Sequence, residues 1–113
     1  MQKIKEVKFF IDKNQKNHVA SWLNKLDVKT RSRINLRLVR LEYGSYGDYK
    51  SLGNKLFELR FFFANGYRVY FVEHNDKIIV LLCAGSKDTQ NKDIILAKDL
   101  LEEFKREVRN AKS

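Results

Sequence analysis

The sequence predicts an α+β domain, helices packed on a small, mostly antiparallel sheet, in the order β-α-α-β-β-β-α. Hydrophobic residues recur at helical spacing in two early stretches and one terminal stretch, with β-branched and aromatic runs between them. The length of 113 residues and a hydrophobic share of 43% suit one compact domain with a two-layer core.

Residues 4–12 carry Ile4, Val7, Phe9, Phe10 and Ile11 and predict an opening or edge strand, although the alternation is imperfect. Val19, Trp22, Leu23 and Leu26 then fall at i, i+3, i+4 and i+7, one buried stripe of a first helix. Asp12 or Asn14 could cap it. A second helix starts near Val28 or Lys29 and keeps Ile34, Leu38 and Leu41 on one side. It ends before Gly44, where Tyr43-Gly44-Ser45-Tyr46-Gly47-Asp48 breaks the period. The short connection makes the pair an antiparallel helical hairpin. Strands follow at about residues 55–63, 67–73 and 77–84. The last is continuously apolar, as a central strand covered on both faces should be. A helix over about residues 90–109 repeats Ile94, Ala97, Leu101, Phe104 and Val108.

The turn at Ala64-Asn65-Gly66 decides where two arginines point. A two-residue Asn-Gly turn would pair Ala64 with Tyr67 and put Arg68 among phenylalanines. A three-residue loop with Gly66 left-handed pairs Phe63 with Tyr67. Phe57, Leu59, Phe61, Phe63, Tyr67, Val69 and Phe71 then share one face, and Glu58, Arg60, Phe62, Arg68, Tyr70 and Val72 the other. Burying a lone guanidinium is costly, so the second register is expected. Arg60 and Arg68 then converge beside Glu58. Close guanidiniums repel by up to about 1 kcal/mol, which an anion would relieve. Their planar donor forks match phosphate oxygens. The alternative is ordinary pairing of Glu58 with one arginine.

Charge points the same way. Lys and Arg total 23 against 14 Asp and Glu, a formal +9, which concentrates polyanions near the surface. The second helix sets Lys29, Arg31, Arg33, Arg37 and Arg40 against Glu42 alone, either a solvated face or a polyanion contact. Cys83 lies in an apolar run and is expected to pack as a small hydrophobe. His18 and His74 are expected at the surface. Metal-ligand spacing, a phosphate-cradling glycine loop and a nucleotide fingerprint are lacking, so no metal and no cofactor are implied. Residues 1–16 hold five lysines and no signal-peptide core, and no apolar run reaches membrane-spanning length; a soluble, cytoplasmic protein without a membrane partner is expected.

Leu56-Phe57-Glu58-Leu59-Arg60 and Gly66-Tyr67-Arg68-Val69-Tyr70-Phe71 resemble the central hairpin of the RelE/ParE toxin superfamily. The run from Leu81 through Gln90, with Asp93, Ile94 and Ala97, resembles its HigB-like, phage-derived Gp49-like "addiction module killer" branch. Residues 22–41 and 50–53 join the likeness, which covers about nine-tenths of the chain. The resemblance implies a RelE-like fold and a type II toxin, an endoribonuclease (mRNA interferase) cutting mRNA on the ribosome and neutralised by a HigA-like helix-turn-helix antitoxin. By position, Arg68 matches the arginine that stabilises the cleaved phosphate, Arg60 a basic residue on the preceding strand, and Lys87 the basic residue near the leaving-group oxygen. Glu58 is the candidate base on the same face. Lys50, Lys55, Arg37 and Arg40 are candidate RNA contacts. Some relatives place a tyrosine or histidine at the final helix for proton transfer; here that region offers Gln90, Lys92 and Asp93. The other reading is a ParE-like toxin that inhibits DNA gyrase and cuts nothing.

Overall fold

The computed structural model describes residues 2–63 and 65–112. The chain runs β1 (Glu6–Phe9), α1 (His18–Asn24), α2 (Val28–Leu41), β2 (Tyr49–Gly53), β3 (Leu56–Arg60), β4 (Arg68–His74) and β5 (Ile78–Gly85). A 3-10 turn at Lys87–Thr89 then leads into α3 (Gln90–Ala111). The five strands form one mixed sheet in the order β1-β5-β4-β3-β2. β1 lies parallel to β5, and the other three ladders are antiparallel. The α+β class, the three helices and the interior place of β5, covered on both faces, are as expected.

Two features depart from expectation. β2 is an additional strand, pairing with β3 through Tyr49↔Leu59, Lys50↔Glu58 and Ser51↔Phe57. It sits at the sheet edge and is largely exposed, so its sequence carries no buried alternation to announce it. The core is also doubled. One cluster joins Val19, Leu23, Ile34, Leu38 and Leu41 from α1 and α2 to Leu59, Phe61, Val69 and Phe71. A second joins Ala97, Leu100 and Leu101 from α3 to Leu56, Tyr70, Val72 and Leu82 on the other face. The sheet is thus sandwiched in three layers, because β4 and β5 are apolar on both sides.

The β3–β4 register differs from the three-residue loop by two positions. Arg60 opposes Arg68, and the Phe61 N–H donates to the Tyr67 carbonyl. A shift of two preserves the faces, so Leu59, Phe61, Tyr67, Val69 and Phe71 still share one side. The longer loop frees Phe63 to pack against Tyr67 and under the Arg33 guanidinium. Gly66 is left-handed as expected, at φ 63°, its N–H donating to the Phe63 carbonyl. Ala64, part of the predicted turn, lies outside the described residues.

Asn17, not Asp12 or Asn14, caps α1 by accepting from the Ala20 N–H. Asp12 instead accepts from the Asn14 and Lys16 N–H groups and meets His18 Nε2 at 2.9 Å. His18 and His74, the latter edge-on to Phe104, are both half-buried, at the margin of the surface where they are expected. Cys83 is buried as expected, and burial pushes its thiol well above the ordinary range. Among the described residues no helix is long and apolar enough to cross a membrane.

Candidate active site

The end of the β3–β4 hairpin and the β5–α3 turn enclose a cavity of about 320 Å³ lined by Arg60, Phe61, Phe62, Gly66, Arg68 and Lys87. Arg60 and Arg68 are there because they are cross-strand partners whose side chains leave the same face. Lys87 arrives from the 3-10 turn, and its backbone N–H donates to the Asn65 carbonyl at 3.1 Å, tying the two loops together. Gly66 lets them meet: a Cβ there would lie 3.3 Å from Arg68 Nη1 and 3.5 Å from Lys87 Cβ.

Two carboxylates hold the arginines. Asp48 binds Arg60 in bidentate fashion, Oδ2 to Nε at 3.1 Å and Oδ1 to Nη2 at 3.0 Å. These bonds raise the Arg60 guanidinium further above its ordinary value. Arg68 Nη1 donates to the Gly66 carbonyl at 2.6 Å, and its buried Nε lies 3.6 Å from Glu58 Oε2 without a hydrogen bond. The like-charge repulsion expected between the arginines is therefore offset inside the protein. Neither Arg68 contact engages Nη2, and Arg60 keeps Nη1 outside its fork.

Glu58 is sealed. It is 1% exposed and does not line the cavity; it lies behind Arg68. Tyr70 Oη donates to its Oε2 at 3.0 Å and Gln90 Nε2 donates to the same oxygen at 2.9 Å. Burial, reinforced by the Glu58 charge, drives the Tyr70 phenol far above its usual range, so it remains a donor. Gln90, at the start of α3, thus braces the carboxylate.

The four candidate RNA contacts scatter. Lys50 opposes Glu58 across β2–β3, so it leaves the same sheet face and remains exposed. Lys55 lies at the far end of β3, about 16 Å along the strand from Arg60, and meets Asp76 at 3.5 Å. Arg37 is committed to the fold: Nη1 donates to the Arg60 carbonyl at 2.9 Å, and Nη2 to the Tyr46 and Asp48 carbonyls at 3.0 and 3.3 Å. It also covers the Phe61 ring at 4.6 Å, and desolvation lowers its guanidinium from the ordinary value. Arg40 is exposed and lines a second groove of about 460 Å³ with Arg33, Leu36, Arg37, Phe62 and Phe63.

Asp48 is a site residue that the sequence does not single out, and neither the contact of Gln90 with Glu58 nor the place of Phe62 in the cavity wall is foreseen there. Asp48 precedes an unannounced strand, and Gln90 reaches Glu58 across 32 positions. Among the described residues no three His, Cys, Asp or Glu side chains gather in a group that could hold a metal ion.

These features define a class: a small, basic α+β protein with a cation-lined cavity beside its central hairpin. Residues 21–102 match the family described as phage-derived protein Gp49-like (DUF891), and the chain belongs to that family, part of the RelE/HigB-type toxin group. The family is associated with the toxins of toxin–antitoxin systems, which suggests an antitoxin partner. The chain is also similar to a protein of Haemophilus influenzae named only as uncharacterized, 46% identical over 85 residues, 74% of this chain and 86% of the relative.

Proposed function

We propose that this protein, acting as a single toxin domain, is an endoribonuclease that cuts mRNA positioned by the ribosome. The observation that carries the reading is the convergence of Arg60, Arg68 and Lys87 on one cavity. RNA supplies its own nucleophile. Its 2′-oxygen bonds to the adjacent phosphorus, the bond to the 5′-oxygen breaks, and a 2′,3′-cyclic phosphate and a 5′-hydroxyl result. One proton leaves the 2′-hydroxyl and one arrives at the 5′-oxygen. The protein's task is to hold that geometry and to meet the charge that builds on the phosphorane oxygens.

Arg68 suits the charge role, its Nη2 outside both of its structural contacts, and Arg60 offers Nη1 from the neighbouring strand. Lys87, exposed at the cavity rim, suits the leaving oxygen. A base must reach the 2′-hydroxyl, and the sealing of Glu58 favours a different part for it. We assign it to positioning, its carboxylate fixing Arg68 while Tyr70 and Gln90 fix the carboxylate. Lys50 and Arg40 lie where they could meet flanking phosphates. Orientation by the ribosome would supply much of the rate that so few groups leave wanting.

Mapping RNA ends after induction tests this. The wild-type protein should generate discrete cleavage sites in mRNA. Arg68→Ala and Lys87→Ala should each lower cleavage about 10²–10³-fold, the usual effect of losing one donor that stabilises developing charge. Lys87 is the cleaner probe, since loss of Arg68 uncovers a buried carboxylate. Growth arrest with intact mRNA and inhibited gyrase would overturn the nuclease.

A further inference from the structure

Three consecutive phenylalanines follow β3, and the middle one is out of place. Phe61 is buried in the α1/α2 core, and Phe63 packs against that core beneath Arg33. Phe62 joins neither cluster and is 85% exposed, the most exposed large hydrophobic residue among those described. It contributes nothing visible to the fold. It does, however, line both grooves. On one side lie Arg60, Arg68 and Lys87; on the other, Arg33, Arg37 and Arg40.

An aromatic ring standing in water between two sets of cations matches one ligand chemistry closely. Single-stranded nucleic acid alternates anionic phosphates with flat bases, and its binding sites combine cationic tracks with aromatic stacking surfaces. We propose that Phe62 is a platform for one unpaired nucleobase of the RNA, with the scissile phosphate on its Arg68 side and a neighbouring phosphate on its Arg33 and Arg40 side. This rests on the reading that the first cavity takes an RNA phosphate, and it adds a positioning residue and a second phosphate subsite. The charge of the second groove favours RNA over a protein partner, although exposed Leu36 and Val39 give that helix face some apolar area.

The test uses a fluorescently labelled, single-stranded 2′-O-methyl oligonucleotide, which cannot be cut, at low salt. Phe62→Ala should weaken its binding about 5- to 100-fold, the range expected for one lost stacked base. Phe62→Tyr should restore it and Phe62→Leu should not, with unchanged thermal unfolding in all three because the side chain is exposed. Wild-type affinity in Phe62→Ala, or full rescue by Phe62→Leu, would overturn the platform. So would a Phe62→Ala protein that binds the oligonucleotide normally but escapes its antitoxin, since the ring would then serve a protein contact. Mapping RNA ends in the same variants separates the two readings. If the wild type cuts mRNA and Phe62→Ala cuts and binds equally well, the platform fails alone. If Phe62 governs binding but no variant cuts, the nuclease fails alone.

Discussion

At Glu58, a phenol, a carboxamide and a guanidinium all approach one oxygen of a carboxylate withdrawn from water. Removing one donor there leaves the acceptor undersupplied in a medium that does not replace it. Tyr70→Phe should therefore cost about 1–3 kcal/mol in urea denaturation. It should lower RNA cleavage as well, because Arg68 loses its fixed support. The convergence of Arg60 and Arg68 is legible from alternation alone, since an even slip in register leaves it unchanged. Glu58 is legible beside them by the same alternation, but the other two supporting groups are not. Asp48 and Gln90 reach the site through long side-chain contacts that no local period encodes. A second carboxylate, Glu73, is held between Lys5 Nζ at 2.7 Å and Tyr46 Oη at 2.6 Å. Burial would raise its carboxyl, but the hydrogen bonds from Lys5 and Tyr46 more than reverse this and hold it below the ordinary value. A depressed carboxyl contributes stability at pH above its unfolded value of about 4.3, and that contribution is lost as pH falls through the folded value. Denaturation midpoints measured down to about pH 3 should fall less steeply in Glu73→Gln than in the wild type.

Between residues and the whole, the end of β5 sets where Lys87 stands. Leu82 is an extra residue in the β4–β5 ladder, since Tyr70 opposes Cys83 while Phe71 opposes Leu81. This bulge turns Cys83 toward α3 and returns Ala84 to the α1/α2 side. Gly85 then passes beneath the start of α3, where Thr89 Oγ1 donates to Asp93 Oδ2. A Cβ on Gly85 would collide with the Asp93 carboxylate and approach Thr89 Oγ1 to 2.6 Å. Gly85→Ala should destabilise by about 1–3 kcal/mol, measured by thermal or chemical unfolding, and should displace Lys87 enough to reduce cleavage. At this scale the sequence reads well wherever an element buries a stripe. Both early helices, β4, β5 and α3 stand close to where periodicity puts them. β2 escapes because an exposed edge strand is defined by the partner it pairs with, not by its own pattern. The hairpin loop is longer than turn preference suggests because Phe63 gains a ring, a guanidinium and a core surface by leaving the ladder.

Across the whole molecule, the formal charge of +9 and the two cation-lined grooves make the proposed RNA binding an electrolyte-sensitive property. If about three to five side chains neutralise phosphates, the logarithm of the affinity should fall with log salt at a slope of about −2 to −3.5. A titration of single-stranded RNA across ionic strengths checks this, and a flat response would argue against the grooves as the track. The three-layer arrangement shows in the continuous apolar run of β5 but not in the composition, which measures how much apolar material a chain has and not how many interfaces share it. The topology also bears on when the site can form. Glu6 pairs with Ile78, seventy-two residues later, and β5 is the strand on which both β1 and β4 are laid. Contacts so distant along the chain form late in folding. A polypeptide still being made therefore lacks β5, and with it the turn that carries Lys87, until most of its length has emerged, so the cation-lined cavity assembles only after that point.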